Sequence, residues 1–255
     1  MKKGRFQSNT ATMKNIITPL LFSIAIVISA IVLGNAVINR NNQNGTISVT
    51  GLGETDFVSD LIVWEGNFSK ENRDLQQAYA GLESDKKIVS DYLIDKGIEM
   101  SDLVFSSVNT MRNTKSNYSA DGRYLGEEFI GYTLNQSVQI ESFDVEKIEQ
   151  ISREITELLN KGVQFYSQAP RYYSTKLEEL KIEMVSRATE DARLRAEKIA
   201  ENAGAKLGEL KDAQMGIFQI TGQNSGEDYS WGGTFNTSAK AKTASITMKL
   251  RYEVR

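Results

Sequence analysis

The sequence predicts an α+β protein: an N-terminal transmembrane helix, then one mixed helix–strand domain outside the cytoplasm. Three observations predict it. An uncharged apolar run fills residues 16–38 behind a cluster of basic residues. Strand-like and helix-like periodicities follow one another from Thr46 onward. A long, alanine-striped helix then precedes a closing strand with strict alternation.

The apolar run, IITPLLFSIAIVISAIVLGNAVI, is long enough to span a hydrocarbon core that needs about 20 residues of helix. Its lipid-facing residues are Leu20, Leu21, Phe22, Ile24, Ile26, Val27, Ile28, Ile31, Val32 and Leu33. Ser23 and Ser29 interrupt them, and serine hydroxyls satisfy themselves on the helix backbone. Lys2, Lys3, Arg5 and Lys14 precede the run and only Arg40 follows closely, so residues 1–15 form a cytoplasmic basic tail. Two readings of residues 16–38 stay open. An uncleaved signal anchor fits the length better, whereas a signal peptide would be cut after Ala36, at Gly34-Asn35-Ala36. A buried core helix is disfavoured, because no polar residues mark an outward face.

Composition narrows the chemistry. The chain has no cysteine and no histidine, which removes disulfides, Ser-His-Asp and Cys-His catalysis, and the usual zinc sites. Beyond Arg40 there are 25 basic and 33 acidic residues, a net charge of −8, which argues against a nucleic-acid partner.

Residues 39–45 read as a short polar linker and residues 46–255 as the exported domain. Thr46–Thr50 alternates polar and apolar as a half-buried strand, which Gly51 and Gly53 are expected to end. Phe57–Ser69 is a second strand. Glu71–Lys96 is an amphipathic helix with Leu75, Ala78, Tyr79, Leu82, Val89 and Leu93 on one face, stopped by Gly97. A strand from Leu103 to Met111 leads into the polar stretch 112–128, whose central Asp121-Gly122 suggests a hairpin. A long strand, Phe129–Ile140, precedes a second amphipathic helix, Asp144–Leu159, with Phe143 placed as a hydrophobic staple. Gly162 ends that helix, and Val163–Ser167 is a short strand. From Phe57 the order is strand, helix, strand, strand, helix, strand, which is the ferredoxin-like βαββαβ core.

The longest helix is expected over residues 174–203, with Leu177, Leu180, Met184, Ala188, Ala192, Ala196, Ile199 and Ala203 as its stripe. The stripe reads as core, with a helix–helix contact as the alternative. Strand signals return at Leu207–Ile220 and Lys242–Val254, around a glycine-rich segment, Thr221–Ser238, that reads as a flexible loop.

Four stretches give the exported part a resemblance to the SIMPL-domain family, the bacterial periplasmic immunogenic protein type. They are Ile47–Glu54; Gly131–Val138 with Asp144, Lys147 and Ile148; the alanine-rich helix through Lys206-Leu207-Gly208; and Ala244–Val254. Asp56–Asp60 departs from the Pro-Asp turn common in that family. The resemblance implies a SIMPL-like α+β domain in the bacterial envelope, often in rings or larger homo-oligomers and associated with stress tolerance, with no agreed active site. The resulting expectation is a non-enzymatic, cofactor-free protein of the bacterial cytoplasmic membrane, with its N-terminus inside and its ectodomain in the periplasm. If residues up to Ala36 are removed, it is a secreted periplasmic protein instead. It is expected to self-associate as a scaffold or in stress protection, or to act as a binding module for an envelope protein, peptide or glycan.

Such a module would use two aromatic clusters: Tyr118 and Tyr124 in one polar segment, and Tyr229, Trp231 and Phe235 in the other. Alternatively, those rings fold back onto the sheet. Glu127-Glu128 and Glu227-Asp228 lie in polar segments where adjacent carboxylates can bind a cation, although solvated surface is the simpler reading and no metal site is assigned. Gly51-Leu52-Gly53 reads as a strand-end turn, not a phosphate loop.

Overall fold

The computed structural model of the chain describes residues 8–41, 45–228 and 230–255. In chain order the elements are α1 (Ser8–Asn41), β1 (Thr46–Val58), β2 (Leu61–Asn72), α2 (Leu75–Asp95), β3 (Val104–Phe105), β4 (Asn109–Tyr118) and β5 (Tyr124–Ser142). They continue with α3 (Val145–Glu154), β6 (Phe165–Ser167), β7 (Arg171–Tyr173), α4 (Leu177–Asn202), β8 (Leu207–Met215), β9 (Gln219–Gly222) and β10 (Ala241–Val254). The expected α+β class, with an N-terminal apolar helix, holds.

The chain forms two compact units: residues 1–49, 193–214 and 249–255, and residues 50–192 with 215–248. In the first, α1 carries an apolar window, Leu20–Val37, of mean hydropathy 2.5, none of it buried. A core helix hides such a face in the protein, so the buried-helix reading falls; an anchor or a signal sequence accounts for the exposure. Lys2, Lys3, Arg5 and linker residues 42–44 lie outside the described residues. The C-terminus is tied in by reciprocal backbone bonds, Lys206 N–H to Arg255 O at 2.6 Å and Arg255 N–H to Lys206 O at 2.9 Å. Lys211 ion-pairs with Glu253 at 3.0 Å.

One sheet runs β1-β10-β8, with β9 also paired to β10. Gly51 and Gly53 do not end β1; they lie inside it. A Cβ at Gly51 would overlap the backbone of Ala188 and Ala192, and one at Gly53 the Met184 carbonyl. The glycines are where the α4 backbone comes closest to β1, a use of glycine that strand-end reasoning overlooks. The α4 stripe is Met184, Ala188, Ala192, Ala196 and Ala200, all buried, so the core reading is correct. Ile199 and Ala203, expected on it, are exposed, because the buried line advances in steps of four residues throughout. The Leu52 N–H donates to the Asp191 carboxylate at 2.9 Å and closes the same contact.

The predicted strand over Phe57–Ser69 divides at Ser59-Asp60. Asp60 accepts the Thr175 N–H at 2.8 Å and its hydroxyl at 2.7 Å, while the Ser59 N–H donates to Lys240 O at 3.0 Å. These bonds turn the chain out of β1, and β2 starts a second sheet. That sheet is antiparallel throughout, in the order β3-β5-β2-β6, with β4 also on β5 and β7 also on β2. Trp64 and Phe68 of β2, Leu134 and Val138 of β5, Leu82 and Val89 of α2, and Ile148 and Ile155 behind them form its core. Phe165 stacks on Phe68, with centroids 6.4 Å apart, and its ring covers Gly66, where a side chain would collide.

Local signals place the helices well. Asp74 and Asp144 cap α2 and α3 by accepting the N–H of Gln77 and Lys147. Gly97 and Gly162 take the left-handed conformation that ends each segment, at φ 84° and 79°. Two details differ. Leu75 and Tyr79 are exposed at the start of α2, and Phe143 is 72% exposed and staples nothing. The stretch 112–128 is mostly strand: β4 and β5 run through it and turn at Ser119–Arg123, so the hairpin exists but is far longer than its turn signal. Leu207–Ile220 also divides, at Gly216–Phe218.

Lys242 is the anomaly of the core. It is 1% exposed, its amine donates to the Tyr172 carbonyl, and no carboxylate among the described residues pairs with it. Burial holds its pKa below the ordinary lysine value.

Two outcomes are expected. Gly51→Val lowers unfolding free energy by about 1–3 kcal/mol through overpacking, read from urea denaturation. Lys242→Met raises stability by about 1 kcal/mol or more near neutral pH. With the folded pKa depressed, the unfolded chain binds more protons as pH rises past the folded value, so wild-type stability climbs there. The advantage of Lys242→Met therefore shrinks as pH approaches the ordinary lysine range, in paired denaturation curves.

Candidate functional site

The segment after β9 looks mobile by composition, but the structure ties it down at three side chains. Gln219 bonds both flanks of its tip, donating to Ser230 O at 2.8 Å and accepting from the Thr234 N–H at 2.6 Å. The Glu227 carboxylate accepts the Gly222 N–H at 2.9 Å and the Asn236 side-chain amide. Asn236 in turn accepts the Ala239 N–H at 2.8 Å. The backbone adds Ile220 N–H to Thr234 O at 2.7 Å and Asn236 N–H to Ile220 O at 2.9 Å, so the loop covers the outer edge of β9.

At the tip the Gly233 N–H donates to Ser230 O at 3.0 Å, a turn with Trp231 and Gly232 at its centre. Gly233 has φ 89°, which suits glycine. Trp231 is 97% exposed. A tied turn that holds an indole wholly in water is the informative observation here, because a large aromatic normally buries most of its surface. Beside it a groove of about 460 Å³ is lined by Leu52, Ile217, Gln219, Ser245, Ile246 and Thr247, together with Gly216, Ser230 and Trp231. That size is within the range of small-ligand sites, about 300–1,000 Å³. No lining residue is charged.

The sequence-predicted residues separate. Phe235 folds back: Ile220 bridges it, and its ring is 6.5 Å from Tyr173. Tyr229 lies outside the described residues. Tyr118 and Tyr124 face each other across the hairpin end at 5.7 Å, both exposed, so they belong to strands and not to a loop. Glu227 is committed to its own loop, and Glu128 lies 3.9 Å from Arg73 on the surface. Among the described residues no three His, Cys, Asp or Glu side chains gather as a metal site. Sequence reasoning missed Leu52, Ile217, Gln219, Ser245 and Thr247. The signal for Ser245 and Thr247 was present as the polar phase of the closing strand, and for Leu52 as the residue between two glycines.

Glu227 carries a testable load. Its hydrogen bonds, first from the Gly222 N–H and then from Asn236, hold its pKa below the ordinary glutamate value. The loop's attachment is therefore complete above the ordinary glutamate range and is lost as pH falls through the depressed folded value. Glu227→Gln is expected to increase proteolytic cleavage within residues 223–238 at neutral pH, and to make that cleavage insensitive to mild acid, as read by mass spectrometry.

No curated protein matches the chain. A family model does, over residues 47–254, which runs from the second residue of β1 to the last residue of β10 and so covers most of the chain. The chain belongs to the SIMPL family, described as a protein of unknown function (DUF541).

Proposed function

We propose that this protein is a membrane-anchored component of the bacterial envelope whose SIMPL domain self-associates and acts without catalysis, as a scaffold or stress-protective assembly. The observation that carries the reading is the unburied apolar helix Leu20–Val37 directly ahead of the family domain. The positive charges before it favour an anchor in the cytoplasmic membrane with the domain on the far side. The second sheet's strand order, with α2 and α3 on its core side, supports a ferredoxin-like arrangement.

Self-association is supported by the β4–β5 hairpin. Beyond Gly131, β5 loses β2 as a neighbour and pairs with β4 alone, leaving a two-stranded ribbon. Leu125, Ile130, Tyr118 and Tyr124 are exposed on it. A lone ribbon is marginally stable, and its outer edge offers unpaired backbone groups to a second copy. A second reading, a binding module, is favoured by Trp231 and its groove.

Light scattering on residues 45–255 across a concentration series tests the first reading. A defined species above monomer mass is expected, and Ile130→Lys with Leu125→Lys is expected to reduce it. A monomer at every concentration removes assembly driven by the domain.

A further inference from the structure

We propose that the Trp231 groove binds an uncharged pyranose of an envelope glycan, with the indole as a stacking platform and the hydroxyls of Ser245 and Thr247 as its polar floor. This deepens the binding-module reading and rests on it.

The groove's chemistry selects the class. Its lining has no ionisable side chain, so nothing there recognises a phosphate, a carboxylate or an amine. An extended peptide adding to a sheet needs an unbroken row of free main-chain groups, and along the groove that row is interrupted. Loop residues 234–236 hold the β9 edge, the Gly216 N–H donates to Thr247 O at 2.8 Å, and the Leu52 N–H is held by Asp191. A purely apolar ligand would leave hydroxyls stranded. Ser245 and Thr247 line the groove, and their hydroxyls make no hydrogen bond to the described residues. Covering them without a partner costs about 1–3 kcal/mol for each group.

A sugar ring has the complementary form. One face is a patch of C–H bonds that lies on an indole, and its edge carries hydroxyls that donate and accept. Leu52 and Ile217 meet the remaining apolar surface, and Gln219 locks the backbone on both sides of Trp231, so the platform is held before any ligand arrives.

The chain provides its own probe. It has two tryptophans; Trp64 is 0% exposed and Trp231 is 97% exposed, so acrylamide quenching of indole emission reads Trp231. The full chain in phosphatidylcholine nanodiscs is titrated with triacetylchitotriose, with maltotriose, and with an uncharged leucine-containing hexapeptide, each to roughly ten times a millimolar Kd. Protection of Trp231 by a trisaccharide is expected, with about tenfold weaker binding in Thr247→Val, where Trp231 remains to report. Protection by the acetylated sugar points to an amino-sugar polymer, and protection by maltotriose to a plain hexose glycan. Unchanged trisaccharide affinity in both Thr247→Val and Ser245→Ala overturns the assignment of the floor. Protection by the hexapeptide and by neither sugar overturns the glycan and leaves the binding-module reading standing. No protection by any of the three overturns both. Unaltered Trp64 emission in each variant certifies that it has folded.

Discussion

The backbone of α4 lies directly on β1, and two missing side chains permit it. At Gly51 and Gly53 even a methyl group would meet the backbone of Ala188, Ala192 or Met184. With alanines on the helix side as well, strand and helix approach until the Leu52 N–H reaches Asp191. Every second residue of β1 is thereby committed to the helix side. The alternate residues, Leu52 among them, are turned to the opposite face, where Leu52 stays 42% exposed. The groove beside Trp231 thus follows from a packing decision made on the other side of the same strand.

The second sheet reaches its packing by different means. Trp64, Phe68 and Phe165 fill the space under α2 and α3, and the Trp64 indole N–H is satisfied by the Ser167 hydroxyl at 3.0 Å. Gly66 again supplies room, this time for the ring of Phe165. The exceptions to this thrift with polar groups among the described residues are Ser59 Oγ and Gln136 Oε1, buried without a partner, and the buried Lys242. Among the described residues the Lys242 amine has one acceptor where it can serve three.

Much of this was legible in the sequence, because the signals were local. The apolar run, the stop glycines and most of each helix face depend on a few neighbouring residues and appear where periodicity puts them. Helix α2, however, begins at Leu75, four residues after the expected Glu71. What failed depended on distant partners. Gly51 reads as a terminator until Ala188 is known to lie over it. Ser59-Asp60 shows no break until Thr175 and Lys240 take its polar groups. The stretch 112–128 is polar because a ribbon wet on both faces has no hydrophobic side to advertise. Of the candidate site, Trp231 was legible from its type and its glycine-rich setting, whereas Gln219, which fixes it, was not. A glutamine in a strand looks like any other until both of its amide ends find the same loop.

The sheet order β1-β10-β8 joins the first strand of the domain to the last, with the last at the centre. Thr46–Val58 waits for Ala241–Val254, so this sheet cannot close until residues nearly 200 positions downstream have joined it. Loop closure over that span is slow relative to local pairing. During folding β2, α2 and their neighbours therefore have all their partners in hand while β1 still lacks its strand partner. β1 is thus the strand whose backbone groups wait longest for a partner, and the stretch most exposed to pairing with another chain while the domain folds.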